Sequence, residues 1–230
     1  IVLERGRSVE KRRQDVEKFW ETGLLDPASN VQFGEGGAGT FSDGKLNTVV
    51  KDPSGRNQFV LETFVHYGAP EEITYENKPH IGTDVLSQMI GNMRKDLIAK
   101  GAEFHFESCV KDLVIENGRI AAVVTEEETY PASAVILALG HSARDTFEML
   151  DAKKEIPMEV KNFAVGFRVE HPQTMIDTIM YGDYRGAKLP ASPYKVTSNF
   201  PNGRGVYSFC MCPGGYVVNA SSEEGRSCVN

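Results

Sequence analysis

The sequence has few cysteines, no long apolar run and no excess of basic residues. Its 4 cysteines are irregularly spaced over 230 residues, which is not the pattern of a secreted disulfide scaffold, so we expect reduced thiols. No apolar stretch approaches the roughly 20 residues that a membrane helix needs. The net charge of −7 provides no electrostatic footprint for nucleic acid. We therefore expect a cytoplasmic protein that binds neither membranes nor nucleic acid.

The overall composition is that of a globular protein, with 40% hydrophobic and 25% charged residues. A chain of this length is expected to form one or two domains. It opens on Ile1, without a methionine and directly in an apolar run, and it stops at SCVN with no terminating pattern. We therefore expect a piece of a longer protein, cut at both ends.

Basic residues cluster around the first predicted helix. IVLE at residues 1–4 reads as a short buried strand, and Ser8 is placed to cap a helix that ends at Gly23. Acidic residues interleave with the basic ones, which favours a solvated helix face over a nucleic-acid surface. The basic residues are Arg5, Arg7, Lys11, Arg12 and Arg13.

The later pattern alternates helices and strands. Asn117-Gly118, between two alternating apolar runs, predicts a β-hairpin. AVILALG at 134–140 predicts a central parallel strand buried on both faces. Beyond Ile156-Pro157 strand-like runs such as FAVGFRVE dominate, so we expect one domain over 1–151 and a β-rich one over 152–230. Further helices are predicted at 57–66, 83–101, 142–150 and 173–180.

A long glycine-rich loop, predicted over 23–55, contains FGEGGAGTFSDGKL at 33–46. Gly34, Gly36 and Gly39 fit the dinucleotide fingerprint G-x-G-x-x-G, but no strand of the required kind precedes them and no helix follows. The same stretch fits G-x-x-x-x-G-K through Lys45. However, Leu46 occupies the position where a triphosphate loop needs Ser or Thr for magnesium.

Two interpretations of this loop stay open. Glycines let consecutive backbone amides converge on an anion, and Lys45 would add a cation. Alternatively, the loop is mobile and binds nothing. Glu4 bears on the choice, because an acid at the end of the second strand of a dinucleotide fold accepts hydrogen bonds from a ribose. In a dinucleotide fold the glycine fingerprint lies about 20 residues before this acid, so the fingerprint would precede Ile1.

Several segments together carry a family resemblance: IVLERGR, FGEGGAGTFSDGKL, KPHIGTDVL, VILALGHSARD and FCMCPGGYVV. In this order the chain resembles the FAD-dependent, NAD-utilising dehydrogenases of the glutathione-reductase-like flavoprotein superfamily. The resemblance implies an α/β fold. Its parts would be a partial FAD-binding Rossmann-like domain with a β-meander insertion, and a β-rich (α+β) substrate domain.

The resemblance also implies the cofactor contacts. Glu4 would bind the adenosine ribose, and the backbone of Val110 would contact the adenine. Gly140, at the end of the apolar run, would let the chain pass close to the FAD. The diphosphate and flavin would lie along the loop, at Gly36, Gly37, Ala38, Gly39 and Thr40. Lys45, which the resemblance does not assign, is a candidate to stabilise negative charge on the reduced flavin.

Other reactive side chains give weaker signals. Cys210 and Cys212 would lie on one face of a strand, either lining a substrate cavity or, as we favour, acting as small buried hydrophobic residues. The scattered histidines complete no metal-site spacing, so no metal is expected. His80 and His141 are candidate hydrogen-bond donors to a cofactor, but neither is assigned as a catalytic acid or base.

The sequence therefore predicts an FAD-dependent oxidoreductase that acts on a small-molecule substrate, with NAD or NADP as a further co-substrate. Flavin enzymes leave hydride transfer to the isoalloxazine, so no catalytic triad is required, and the catalytic residues stay unassigned. The piece alone is expected to be inactive. The alternative is a nucleotide- or phosphate-binding module without redox activity. Oligomeric state is not predicted.

Overall fold

The computed structural model describes residues 1–41, 44, 46, 51–76, 79, 81–183, 188–208 and 211–230. These residues mix helix and strand, and the chain divides into two units. The first unit contains Ile1–Phe163 and Asn219–Cys228, and the second contains Ala164–Val218 and Val229–Asn230. The division thus follows Phe163, and one short segment near the end returns to the first unit.

Helix α1 spans Val9–Thr22 and ends, as predicted, at Gly23, whose φ of 75° is left-handed. Ser8 occupies the N-cap position, as predicted, but its side chain makes no capping bond. Instead the amide of Val9 donates to the Glu35 carboxylate at 2.8 Å. An acid from the glycine-rich loop therefore satisfies one of the amides that a helix start leaves unpaired.

Arg12 on α1 is fully buried, so the prediction of a solvated basic face is wrong at this position. Its guanidinium donates to three loop carbonyls, those of Asn30 at 2.8 Å, Val31 at 2.9 Å and Glu35 at 2.6 Å. Burial lowers the pKa of Arg12 to about 10, although the charges of Glu4 and Glu35 oppose that effect. The side chain therefore stays charged at neutral pH and holds the loop against α1.

Helices α2 (Arg56–His66) and α3 (Thr83–Ala99) enclose a cluster of apolar residues. Leu86 and Met89 are buried there, as their helical spacing predicts. Arg94 joins α3 to α1 and the loop through bonds of 2.6 Å to both Glu10 and Glu35. None of the helices in the described ranges is long and apolar enough to span a bilayer.

The strands of the first unit form two small sheets. Strand β1 (Val2–Leu3) pairs in parallel with β2 (Phe104–His105). The other sheet is antiparallel, in the order β3-β4-β5. The predicted turn is confirmed, with positive φ at Asn117 and Gly118. These strands are β3 (Asp112–Glu116), β4 (Arg119–Val124) and β5 (Thr129–Pro131).

The predicted central strand over 134–140 does not form. Ile136 is 93% exposed and Leu137 is 47% exposed, so the run is not buried on both faces. Val135 and Leu139 do pack against a cluster formed by the antiparallel sheet and helix α4 (Arg144–Asp151). One side of the run is therefore covered, but no neighbouring strand in the described part of the chain supplies backbone partners.

The second unit contains little regular structure. Helix α5 spans Gln173–Tyr181, in agreement with its prediction. Strands β6 (Thr197–Asn199) and β7 (Gly205–Tyr207) form an antiparallel pair. The predicted strand FAVGFRVE, at 163–170, is wrong, because no residue of that run is paired in a sheet. Pairing partners for it are not present among the described residues.

Replacing Arg12 should show how much the loop depends on its guanidinium. In Arg12→Met three buried carbonyls lose their donor, so we expect the free energy of unfolding to fall by about 3 kcal/mol or more. Arg13→Met is the matched control, since the Arg13 side chain is 51% exposed and pairs with Glu17 on the same helix. That change should cost at most about 0.5 kcal/mol. Urea denaturation followed by circular dichroism measures both, and equal losses would contradict the role assigned to Arg12.

Candidate functional site

A cleft of about 420 Å³ lies beside the end of β1 in the first unit. Its walls come from the residue after Glu4, the glycine-rich loop, the start of α4 and the segment that returns near residue 223. Ligands of parallel α/β sheets bind outside the carboxyl ends of the strands. The residues that bear on its chemistry are Arg5, Phe33, Ser142, Arg144, Asp145 and Glu223.

Arg5 is the best-placed cation of this cleft. Its guanidinium carbon lies 4.3 Å from the centre of the Phe33 ring, and Nη2 lies 2.8 Å from Oδ1 of Asp145. Burial acts to raise the pKa of the Asp145 carboxyl, but the hydrogen bond and charge of Arg5 outweigh it, and the pKa is lowered. The pair therefore stays ionised at neutral pH, and a planar, stacked cation faces the cleft.

Two further polar groups line the cleft. They are Ser142, in the turn before α4, and Arg144, the first residue of α4. The Ser142 hydroxyl donates to the Gln32 side chain at 3.1 Å and lies 3.3 Å from Nδ1 of His141. Arg144 forms an ion pair with Glu223. An anionic ligand would have to compete with the carboxylates that pair with Arg5 and Arg144.

Glu4 connects the strand to the glycine-rich loop. One of its oxygens, Oε1, accepts from the amides of Gly6 at 2.9 Å and Gly34 at 3.0 Å. A Cβ built on Gly6 would lie 2.5 Å from the Cα of Gly34, so the two backbones touch. The other oxygen, Oε2, takes no part in these two bonds. Glu4 therefore has a structural role, and its role in binding stays a prediction.

The apex of the loop is open where a ligand would need it to be. Gly36 and Gly37 have φ of 88° and 63°, a conformation that favours glycine. A Cβ at Gly36 would lie 2.3 Å from the Thr40 hydroxyl, whereas a Cβ at Gly37 or Gly39 would meet nothing within 4 Å. Ala38 lies between them and is exposed. The space beside Gly37 and Gly39 is thus open, although the Gly37 amide already donates to the Gly34 carbonyl at 3.1 Å.

Thr40 differs from its neighbours because it is fully buried. Its hydroxyl has no hydrogen-bond partner among the described residues, and an orphaned buried hydroxyl is costly. A ligand lying on the outside of the loop would not touch this hydroxyl without a shift of the turn. The open space at Gly37 and Gly39 therefore bears on a group that binds along this loop, and the buried Thr40 hydroxyl does not.

The structure brings Val110 and Gly140 into the same unit as Glu4. The amide of Ser108 donates to the Glu4 carbonyl at 2.9 Å, which holds the chain leading to Val110 beside β1. Val110 itself is half-buried against the apolar cluster below the cleft. Gly140 is exposed with φ of 67° and opens the turn that carries Ser142.

Other predicted residues contribute less. Lys45, His80 and Cys210 lie outside the described residues. Cys212 is exposed, which contradicts the interpretation of that thiol as a buried hydrophobic residue. No group of three or more metal-ligating side chains occurs in the part of the chain that the structure describes.

Sequence reasoning missed the residues that line the cleft. Arg5 directly follows Glu4, but it was assigned to the basic cluster of the first helix. Phe33 is the first residue of FGEGGAGTFSDGKL and Asp145 the last of VILALGHSARD, but no spacing singles out either residue. The ion pair between Arg5 and Asp145 spans 140 residues, so no local pattern indicates it. An arginine directly after the strand-ending acid was the one available signal.

Comparison with known proteins gives two findings. Residues 162–230 match the family model described as "FAD-dependent protein, C-terminal domain-like", which supports membership of an FAD-dependent family. The chain is also 48% identical over 228 residues to an uncharacterized protein from Clostridium beijerinckii (strain ATCC 51743 / NCIMB 8052). The match covers 98% of this chain but 42% of that protein, so more than half of the relative lies outside it.

The turn at Gly36 should not tolerate a side chain. In Gly36→Ala the new methyl group would collide with the Thr40 hydroxyl and with Ile90, at a φ that L-residues rarely adopt. We expect a loss of about 2 kcal/mol in the free energy of unfolding. Gly39→Ala is the control, because a Cβ there meets nothing, and it should change stability by at most about 0.5 kcal/mol. Thermal unfolding of both variants tests this, and a tolerated Gly36→Ala would refute the constraint.

Proposed function

We propose that this chain supplies part of the FAD site of an oxidoreductase. The observation that carries the proposal is the contact between Glu4 and the amide of Gly34, beside a cleft that Arg5 and Phe33 line. The carboxylate at the strand end and the glycine-rich loop thus share one face of the first unit. The match of residues 162–230 to an FAD-dependent family supports the choice of dinucleotide.

In this proposal β1 belongs to a Rossmann-like sheet. Its pairing with β2 is parallel, and Ile1 and Val2 are 65% and 42% exposed. The run 134–140 has no strand partner among the described residues. Leu3 of β1 and Val135 and Leu139 of this run all pack on one apolar cluster. A strand from a longer polypeptide would fit between β1 and this run and would bring its own phosphate-binding turn to the cleft.

The chain's own residues would hold the cofactor as follows. Oε2 of Glu4 accepts from the adenosine ribose, and the backbone near Val110 contacts the adenine. The diphosphate lies along the backbone from Gly36 to Gly39, where the Gly37 amide already donates to the Gly34 carbonyl, while Gly140 lets the backbone pass close to the cofactor. When bound, FAD supplies the hydride-accepting ring. The protein positions that ring, offsets its negative charge and excludes water around it.

We further propose that the substrate is a small molecule and that NADH or NADPH is the second redox partner. The Asp145 carboxylate of the cleft pairs with Arg5, so we do not assign it as a proton donor. That arrangement suits a reaction in which the cofactor performs the hydride transfer and the protein supplies position and charge. Catalytic groups for the substrate would then lie elsewhere in the longer protein.

The colour and redox behaviour of the longer relative test the proposal directly. We expect the full-length C. beijerinckii protein to purify with a visible flavin band that bleaches when NADH or NADPH is added without oxygen. Heat-released cofactor should run as FAD rather than FMN in chromatography. A protein that stays colourless after incubation with FAD would support a non-redox nucleotide-binding module instead.

The role of Glu4 is tested by comparing two flavins that differ in the adenosine part. We expect Glu4→Gln to weaken FAD binding about 10- to 100-fold, the worth of hydrogen bonds to a charged group. FMN has no adenosine, so its affinity should not change. Glu17→Gln on the exposed face of α1 is the control. Quenching of flavin fluorescence measures all affinities, and equal weakening of FAD and FMN would leave Glu4 only its structural role at Gly34.

A further inference from the structure

The second unit has almost no apolar core. Among its described residues only Ile176 and Ser192 are buried. Its large apolar side chains face outwards instead, including Val165 at 89%, Phe167 at 97% and Tyr216 at 87% exposure. Folded domains bury most of their large apolar residues, because that burial offsets the entropy lost on ordering the chain. This unit therefore needs a cover that the described residues do not provide.

The segment Ala164–Glu170 is the clearest part of this uncovered surface. Its apolar residues alternate, with Val165, Phe167 and Val169 at every second position, which is the spacing of one face of a strand. Between them Arg168 is half-buried and donates to the Asn230 side chain at 2.8 Å. Glu170 accepts from the amide of Val217. Hydrogen bonds of Arg168 and Glu170 thus hold the segment on one face. The apolar side chains on its other face are exposed.

Exposed apolar residues also occur on α5, on β7 and directly before β6. On α5, Ile179 is 69% and Met180 is 54% exposed. On the β6–β7 pair, Val206 is 58% exposed, and Val196 just before β6 is 61% exposed. A twofold contact with a second copy would cover one self-complementary patch. Several chain segments that wind around the unit would cover all of these elements.

The comparisons indicate where such segments would come from. A family model for a domain matches residues 162–230, of which Asn219–Cys228 belong to the first unit. The matched residues that form the second unit lack the core that a domain has. The relative with 48% identity continues well beyond the matched region, with more than half of its length outside. A polypeptide as long as this relative therefore has additional chain that could supply the apolar residues of the core.

We propose that the second unit is one part of a composite domain whose remainder lies in the portion of the longer polypeptide outside this chain. That remainder contributes at least one β-strand, which pairs with Ala164–Glu170 and covers Val165, Phe167 and Val169. Its inward face is apolar, because it meets three apolar side chains at strand spacing. This inference concerns the fold of the second unit and does not depend on the proposed FAD site.

Hydrogen exchange measured by mass spectrometry tests the proposal on existing proteins. The full-length C. beijerinckii relative is compared with its own fragment that matches this chain, at low protein concentration. We expect the amides aligned with 164–170 to exchange at least about 100-fold more slowly in the full-length protein. Peptides aligned with the buried middle of α1, around Val16, should be protected similarly in both and serve as the internal control.

Two results would overturn the proposal. Equal exchange of the 164–170 amides in the fragment and the full-length protein would show that no further chain pairs with them. Protection that appears in the fragment alone and rises with its concentration would show that a second copy covers the segment.

Substitutions in the 230-residue chain provide an independent check. Phe167→Asp should leave its thermal midpoint unchanged, as should Ala164→Asp, the control on the other side of the segment. A lowered midpoint for Phe167→Asp alone would show that this chain already covers the side chain.

Discussion

The buried guanidinium of Arg12 is the interaction on which the first unit depends. It fixes the carbonyls of Asn30, Val31 and Glu35, so a loop without regular structure acquires a single path along α1. The path passes so close to Arg12 that a Cβ on Gly34 would lie 2.3 Å from its Cδ. A buried charge is costly unless its hydrogen bonds are satisfied. Here the guanidinium of Arg12 donates to backbone carbonyls. The loop must therefore follow the path that brings these carbonyls to the guanidinium.

The same packing creates the candidate site. Because Gly34 is held against Arg12 on one side and Gly6 on the other, its amide is presented to the Glu4 carboxylate. The strand end and the loop are thereby joined before any ligand binds. A dinucleotide that binds across them would meet a preorganised surface and lose less entropy on ordering it. The structural role of Glu4 and the role proposed for it in binding depend on one geometry, and for that reason the FAD and FMN comparison is needed to separate them.

Local patterns predicted the elements that depend on local interactions. The end of α1 at Gly23, the Asn117-Gly118 turn and helix α5 follow from left-handed glycine, turn chemistry and helical periodicity. Failures occurred where distant residues decide the outcome. Arg12 is identical in type to the exposed Arg13 beside it, and only the loop carbonyls distinguish them. Likewise Glu35 replaces Ser8 at the helix start from 26 positions away.

The two failed strand predictions have a different cause. AVILALG and FAVGFRVE both have the composition of buried strands, but in the structure most residues of both runs are exposed. A strand requires partners for its backbone groups on at least one edge, and composition alone cannot supply them. In the first unit the run 134–140 at least rests on an apolar cluster, whereas Val165 and Phe167 in the second unit rest on none that is described. The sequence patterns therefore describe a larger sheet-containing protein more faithfully than they describe these residues in isolation. The long relative, which the chain covers only in part, is consistent with that conclusion.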